Sequence, residues 1–519
     1  MPRSHVNRRN FLKTAAAGAS ALSLTAAAYG KVKGANDRIN VAFLGTGGRC
    51  QIHIDIVNKL KEENKGVEPV AVCDVWDGNK EVDAPKGRGL YPSAARCGLK
   101  PDDKEHVSKD YRRILDLKEV DVVCIAAPDH WHAKMSIDAA AASKDVYCEK
   151  PMTKTIEEAQ AVVEAMKKHN RVMTVGVQST ADPVWKKANE MIREGVIGHV
   201  AQAQTSYYRN YIGGQWRYYK LTKDMTPKTV DWDMFLGNSF SVVDGVPLGP
   251  KMDFDRAVYG QWRCYWPFGG GMFTDLFVHQ TTHMIQAMGI RYPARVVGGG
   301  GLYLEYDGRD VPDVATIVAD YDEGCQLIIT ATMINDHPIE ECIRGRLATM
   351  RFVPHQIGKR PDGKPINEMG LEIIEQSMKS GPGLPQRLGA VKGKIIPGGL
   401  GNMDGTRELW EAFLTCVRAR NRETPCTPEL GAAAFTTVAM GVQSYRQGKV
   451  MFWDKELRKP AEANASWATR WEERSKNRGK PEQVMGWQGG QSGSVVVPPP
   501  YQKLGGAWVD GKDPAEGVG

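Results

Sequence analysis

Lys150, Asp275 and His279 are the residues whose types and spacing promise chemistry most directly. Oxidising a secondary alcohol requires a base for the hydroxyl proton while the carbon-bound hydrogen departs as hydride. Histidine suits that task because its ordinary pKa is ~6.5. Asp275 and His279 stand four apart in Thr274–Met288, a segment with helical periodicity, which sets them on one helix face. There the carboxylate would fix the imidazole tautomer and stabilise its charged form. Lys150 follows the apolar run Asp145–Cys148, read as a strand. Ligands collect beyond the carboxyl ends of such strands, so the ammonium would hold a substrate oxygen and stabilise charge as hydride moves. His283 extends the series along the same helix face. One carboxylate and two imidazoles suit several transition metals. No metal is expected, however, and His283 reads better as a substrate-contacting or core histidine.

A second cluster points to a dinucleotide. Gly45-Thr46-Gly47-Gly48-Arg49-Cys50 follows the strand Ile39–Leu44 directly and opens a helical segment. Glycines at this place permit a tight turn and close backbone approach to a pyrophosphate, and the helix start supplies free N–H donors. Cys50 occupies the third position of the fingerprint, where Gly or Ala is usual. Asp74 closes the next strand, Val67–Cys73. A carboxylate there accepts both ribose hydroxyls and repels a 2′-phosphate, which favours NAD(H) over NADP(H).

These residues must be positioned by an alternating framework. Ile39–Leu44, Val67–Cys73, Val120–Ala126, Asp145–Cys148 and Val172–Val177 read as strands, with helical patterns such as Ile156–Lys168 between them. That alternation signals a doubly wound parallel sheet, and continuous apolar runs fit strands covered on both faces. From about Ala181 the rhythm changes. A helical Pro183–Glu194 leads into Val200–Tyr208, Ala294–Tyr306, Val314–Tyr321 and Gln326–Met333, read as strands, with helices at Thr274–Met288 and Thr406–Ala419. The fold class expected is therefore α/β: an N-terminal Rossmann domain plus a C-terminal α+β domain with an open, mainly antiparallel sheet. The boundaries read as 1–28 signal, 37–180 nucleotide domain, 181–455 substrate and oligomerisation domain, and 456–519 extension. Pro361–Gly401, rich in Gly, Pro and Lys, reads as a surface excursion. The tail beyond Trp453 carries Trp471, Trp487 and Trp508, too aromatic for a free linker, and is expected to pack on the body or on a second subunit.

Bulk properties narrow the function class. The net charge is +7, but Arg3, Arg8, Arg9 and Lys13 lie in an N-terminal segment without an acidic residue, and the rest is scattered. No nucleic-acid partner is expected from such a distribution. Asn7-Arg8-Arg9-Asn10-Phe11-Leu12-Lys13, an Ala-rich apolar run and Ala26-Ala27-Ala28 have the three-part layout of a twin-arginine export signal. The run is too short to span a bilayer, so no span is expected in the mature protein, which would be periplasmic or extracellular. The ten cysteines show no CxxC pair, and Cys73, Cys124 and Cys148 fall in apolar strands, so they read as core thiols.

Three further stretches make the nucleotide domain specific. Ala126-Ala127-Pro128-Asp129-His130-Trp131-His132 follows the fourth strand, Glu149-Lys150-Pro151 the fifth, and Gly269-Gly270-Gly271-Met272-Phe273-Thr274-Asp275-Leu276-Phe277-Val278-His279 lies in the second half. With the glycine loop, they resemble the glucose–fructose oxidoreductase/inositol dehydrogenase (Gfo/Idh/MocA) family over roughly residues 37–455. The resemblance implies Lys150 near nicotinamide and substrate, Asp275 as polar partner and His279 as acid/base. It extends the cofactor contacts beyond Gly45, Thr46, Gly47, Gly48, Arg49 and Asp74 to Ala127, Pro128, His130, Glu149, Lys150 and Gln178. His130 and His132 read either as cofactor-edge residues or as caps of the following helix. Ser179-Thr180 replaces the arginine often found after the position of Gln178. Tyr208, Arg209, Trp216 and His283 are candidate sugar contacts, in a stretch whose aromatics serve sheet packing equally well.

Export and a nicotinamide cofactor pull against each other, because no diffusing NAD pool is expected outside the cytosol. A protein exported folded can carry its cofactor, so NAD(H) is expected to be tightly bound and recycled in place. Either one sugar is oxidised and another reduced, or a glycoside is transiently oxidised at C3, cleaved by elimination and re-reduced. A non-catalytic nucleotide- or glycan-binding role is the other class considered. A homo-oligomer, dimer or tetramer, is expected.

Overall fold

In a computed structural model, described for residues 38–81, 87–359, 362–376, 395–400 and 404–461, two sheets carry the chain. The twin-arginine segment and the tail from residue 462 onward lie outside the described residues. The first sheet comprises β1 (Ile39–Leu44), β2 (Val67–Cys73), β3 (Val107–Ser108), β4 (Val122–Ile125), β5 (Asp145–Glu149) and β6 (Met173–Gly176). All its pairings are parallel, in the order β3-β2-β1-β4-β5-β6. That order reverses at β1/β4, and in open α/β sheets ligands bind outside the strand ends at this switch point.

Strand alternation divides the core. Ala42, Leu44, Val123, Ile125, Val146 and Cys148 face one layer of helices, whereas Val41, Phe43, Val122, Cys124 and Tyr147 face the other. The second layer is completed from far along the chain. Helix Thr406–Ala419 contributes Leu409, Trp410, Phe413 and Leu414 to it, and the Trp410 ring stacks on Tyr147 at 4.5 Å. The helix Ile156–Lys168 starts with a capping box in which Thr155 and Glu158 each satisfy the other's backbone N–H.

The second sheet is built from β7 (Val200–Asn210), β8 (Arg295–Gly301), β9 (Val314–Tyr321), β10 (Cys325–Thr332), β11 (Ile334–Asn335), β12 (Cys342–Gly345), β13 (Ala348–Lys359), β14 (Pro365–Glu375), β15 (Ile395–Ile396), β16 (Met451–Asp454) and β17 (Lys459–Ala461). It is antiparallel except for the β10–β7 pair, which is parallel. The stretch Pro361–Gly401 is not only a surface excursion, because β14 and β15 lie within it and extend the sheet. Its Gly, Pro and Lys content hid the alternation of Pro365–Glu375. The helix Pro428–Gln447, an Ala-rich segment buried nearly all round, also escaped the sequence reading because it lacks a one-sided apolar stripe.

All ten cysteines are free, and only Cys416 is not buried. They act as small core side chains, as their setting in the strands suggested. No helix among the described residues is long and apolar enough to cross a membrane.

Candidate active site

The turn after β1 builds one end of the site. Gly45 has φ +82°, and a Cβ there would lie 2.5 Å from Cα and N of Ala127, so this turn and the end of β4 meet backbone to backbone. The helix Gly48–Glu62 starts without a side-chain cap and without an acidic residue in its first turn. Gly45, Gly47, Gly48 and Arg49 line a groove with Ala127 and Pro128. A Cβ on Gly47 would meet nothing within 4 Å, so the loop borders open space. Uncapped N–H donors, a positive helix end and room beside the glycines fit a pyrophosphate.

Thr46 and Asp74 hold this loop. Thr46 is buried behind it; its amide and hydroxyl donate to Asp74 Oδ2 at 2.6 and 3.2 Å. The Trp76 amide donates to Oδ1 at 2.9 Å. Asp74 also lines the groove, so one carboxylate both fixes the glycine turn and faces the ligand side. Burial raises its pKa, and the amides of Trp76 and Thr46 oppose that shift.

Glu149 is committed to protein partners. Arg49 Nε donates to its Oε1 at 2.9 Å, and His53 Nε2 lies 3.0 Å from the same oxygen. Trp410 Nε1 donates to His53 Nδ1 at 2.9 Å, which leaves the His53 proton on Nε2, facing the carboxylate. Burial alone would raise Glu149, but Arg49 and His53 outweigh it and hold the carboxyl well below the usual range. Glu149 therefore orients Arg49 rather than presenting a free acceptor to a cofactor.

A cavity of about 390 Å³ opens beside the groove, and Arg49, Tyr219 and Arg263 line both. Lys150, Asp275, His279 and Gln178 all border it. Lys150 Nζ donates to Asp275 Oδ1 at 2.7 Å and to its backbone oxygen at 2.8 Å. Arg263 Nε donates to Oδ1 at 3.0 Å, and Trp216 Nε1 to Oδ2 at 3.1 Å. Burial pushes the Asp275 carboxyl up, but the charges of Lys150 and Arg263 overturn that and keep it ionised.

The Asp275–His279 partnership is corrected. Phe273–Phe277 forms a π-helical turn ahead of the α-helix Val278–Met288. Its wider i→i+5 winding breaks the register that an i,i+4 spacing assumes. Asp275 turns to Lys150 and Arg263, and no described residue hydrogen-bonds the His279 ring. Burial and the nearby Lys150 charge pull His279 down to about 3, against Asp275, so the imidazole is neutral at physiological pH.

Other candidates divide. Tyr207 and Arg209 border the cavity, with Arg209 Nη2 donating to the Tyr207 hydroxyl at 2.7 Å. Tyr208, between them on β7, projects to the opposite face by strand alternation and lines no part of it. Trp216 is buried and braces Asp275 from behind instead of touching the cavity. His130 is not at the cofactor edge: its Nε2 lies 2.8 Å from the Phe235 carbonyl, between the rings of Phe235 and Phe268. His132 lies between the carbonyls of Pro151 and Ala127 at 2.6 and 2.7 Å. The described residues hold no cluster that would bind a metal ion, and His283 pairs with Ser179 and Glu341 instead.

Sequence reasoning missed Arg263, which no spacing rule connects with Asp275, and the neutral acid Asp129. Burial pushes Asp129 up to about 8, Arg263 opposing, and Thr274 Oγ1 lies 3.5 Å from it.

His130 carries a pH prediction. Burial holds it at about 3 in the fold, whereas an unfolded histidine titrates near ~6.5. Between these values the unfolded chain binds the extra proton, so stability falls as pH drops, by about 1.4 kcal/mol per pH unit. Urea midpoints should decline from pH 6.5 to 4.5, and His130→Phe should make that slope shallower by His130's share, leaving the part carried by the similarly depressed His279. An unchanged slope in the variant would remove His130 from the account.

A family model for the Gfo/Idh/MocA oxidoreductase family, NAD-binding Rossmann fold, matches residues 39–177. A levoglucosan dehydrogenase of Pseudarthrobacter phenanthrenivorans is 32% identical over 153 residues, covering 27% of this chain and 39% of that protein. A glycosyl hydrolase family 109 protein of Shewanella baltica is 27% identical over 248 residues, 42% of this chain and 51% of its own. The chain thus spans about half, or less, of the length of these curated relatives. Among solved structures, the WlbA dehydrogenase of Bordetella pertussis with NADH and UDP-GlcNAcA matches at 15% identity and a TM-score of 0.53, covering 80% of this chain and 99% of that one. A levoglucosan dehydrogenase with NADH and levoglucosan matches at 20% identity and 0.51, covering 80% and 98%. Residues 39–177 therefore carry the NAD-binding Rossmann fold of the Gfo/Idh/MocA oxidoreductase family.

Proposed function

We propose that this protein is an exported NAD(H)-dependent oxidoreductase acting on a CH–OH group of a sugar, glycoside or polyol, with its cofactor retained between turnovers. The carrying observation is that Lys150 and His279 border one cavity that shares Arg49, Tyr219 and Arg263 with the dinucleotide groove. Lys150 Nζ has three N–H donors and spends two on Asp275, which leaves one for a substrate oxygen. Neutral His279 takes the hydroxyl proton, with the nearby Asp275 charge offsetting part of what burial and Lys150 cost the resulting imidazolium. A nicotinamide held in the adjoining groove beside Gly45, Gly47 and Ala127 would supply the hydride acceptor for the carbon that bears this hydroxyl. The product is a ketone, with the proton on His279.

The family 109 glycosyl hydrolase relatives support a second reading, an NAD-dependent glycosidase. Oxidation at C3 acidifies C2–H, and elimination expels the aglycone alcohol and leaves an unsaturated ketone. Water adds across its C1–C2 double bond, and the C3 ketone is reduced again by the hydride first removed. Both readings use Lys150 and His279 identically in the first step. A purely nucleotide- or glycan-binding role would leave the Lys150–Asp275–Arg263 cluster without a task. Export rests on the Arg8-Arg9 segment, and assembly into a dimer or tetramer is supported by exposed Tyr303, Leu304 and Tyr306.

Retention is tested on protein purified by gel filtration. At ~1 μM protein a micromolar ligand is largely lost, whereas one near ~1 nM stays bound. Mass spectrometry of released ligand should show nearly stoichiometric NAD(H), and sugar turnover should proceed without added nucleotide when an acceptor sugar is present. Nucleotide-free protein that works only with millimolar NAD would sink the retained-cofactor mechanism. Asp74→Ser should lower both cofactor retention and the preference for NAD over NADP, because Asp74 anchors Thr46 as well as facing the groove. Wild-type protein carrying NADP(H) would overturn that assignment.

A further inference from the structure

The cavity that holds Lys150 does not end at one sugar's width. A second chamber of about 340 Å³ adjoins it, and Gln178, Ser179, Tyr207, Gln280, His283 and Asp404 line both. Each chamber falls at the lower end of the ~300–1,000 Å³ range of small-molecule sites. Together, at about 390 and 340 Å³, they exceed what one hexose fills.

The junction is built from a hydrogen-bonded chain. Glu341 Oε1 accepts from Thr205 Oγ1 at 2.6 Å and lies 2.9 Å from His283 Nε2. Burial raises the Glu341 carboxyl, but its contacts with His283 and Thr205 outweigh this and keep it low. An ionised carboxylate only accepts, so Nε2 carries a proton toward Glu341, and Nδ1 on the other side of the ring lies 3.1 Å from Ser179 Oγ. Whichever of the two donates, the Ser179 oxygen keeps a lone pair for a ligand hydroxyl. The ring cannot swing away, because Trp185 stacks on it at 4.0 Å and 12°. Beyond Ser179 the outer chamber offers the apolar Met369 and Leu400 together with the carboxylates of Asp182, Glu341 and Asp404. Apolar surface and hydroxyl acceptors suit a neutral sugar ring, and the carboxylates repel an anionic one. The inner chamber differs, since Arg49, Lys150, Arg209 and Arg263 border it.

We propose that the site binds a two-ring glycoside. The ring to be oxidised lies against Lys150 and His279. A neutral second ring occupies the outer chamber, where Ser179 accepts a hydrogen bond from it and His283 and Glu341 act as positioning residues for Ser179. The proposal rests on the oxidoreductase reading and adds to it the substrate class.

Calorimetry and steady-state assays on the full-length, NAD⁺-loaded protein test it with three disaccharides, cellobiose, maltose and lactose, against glucose and galactose. At least one disaccharide should bind about tenfold or more tighter than its component sugars, a gain expected from a filled second chamber. Met369→Trp, which fills the outer chamber, should erase that advantage. Ser179→Ala should cut it about fivefold through one lost hydrogen bond, mainly in KM rather than kcat. If no disaccharide outbinds its monosaccharides, or if both variants keep the advantage, the two-ring site is wrong while monosaccharide oxidation would still support the oxidoreductase. If disaccharides bind with the predicted advantage and no NADH forms with any sugar, the subsite stands as a binding site and the oxidoreductase reading fails.

Discussion

Lys150→Met should lower kcat/KM for sugar oxidation by about 10²–10³-fold, the size of effect seen when one preorganised charge donor is removed from a reaction centre. Met keeps the length and the packing of the side chain and removes only the ammonium. Asp275 retains Arg263 and Trp216 as partners, so the buried carboxylate is not left bare and the fold should survive. Near-wild-type melting and bound cofactor, measured alongside turnover, separate loss of chemistry from loss of structure. His279→Ala should cost a similar ~10²–10⁴-fold as the loss of an acid–base group. The geometry also decides which residue pair is coupled. Asp275 touches Lys150 Nζ at 2.7 Å and makes no hydrogen bond to His279 among the described residues. The double mutant Asp275→Asn/Lys150→Met should therefore be strongly non-additive, and Asp275→Asn/His279→Ala closer to additive. A loss below about tenfold for both Lys150→Met and His279→Ala would remove the pair from the reaction.

The parts of this site that were legible in the sequence are those written in local pattern. The glycine turn, Asp74 and Lys150 each sit at a strand end, and strands Ile39–Leu44 and Val67–Cys73 run as read because alternating and continuous apolar runs leave little choice. The i,i+4 inference for Asp275 and His279 failed for a local reason that composition does not show. The segment Phe273–Phe277 winds as a π-turn with Phe273 and Phe277 buried in the core. Strand period fixes only that Tyr207 and Tyr208 face opposite ways, not which of them faces the cavity. Arg263, Trp410 and Glu341 were beyond reach, because they arrive from 12, 357 and 58 residues away from Asp275, His53 and His283. Contacts of that separation are made by topology, and no spacing rule encodes them.

Gly45→Ala should unfold or empty the nucleotide domain, whereas Gly47→Ala should empty it without unfolding it. At Gly45 the backbone is at φ +82°, where an L side chain costs roughly 1–2 kcal/mol. The new methyl would also stand 2.5 Å from Cα and N of Ala127. That neighbour is backbone at the end of β4, held by the Ala126 amide donating to the Leu44 carbonyl at 2.9 Å. Relief must come from parting β1 and β4 at the switch point, and overpacking of this kind costs about 1–3 kcal/mol more. Against a typical domain stability of ~5–15 kcal/mol that is a substantial fraction. At Gly47, φ is −70° and a Cβ meets no protein atom within 4 Å. The methyl would enter only the space beside the helix start, which the groove leaves for a pyrophosphate. Thermal melts and released nucleotide, measured on both variants, read the difference. Gly45→Ala should lower the melting temperature and lose nucleotide together, while Gly47→Ala should keep the melting temperature of nucleotide-free wild type and lose nucleotide alone. Full NAD(H) retention in Gly47→Ala would place the cofactor elsewhere than against this loop.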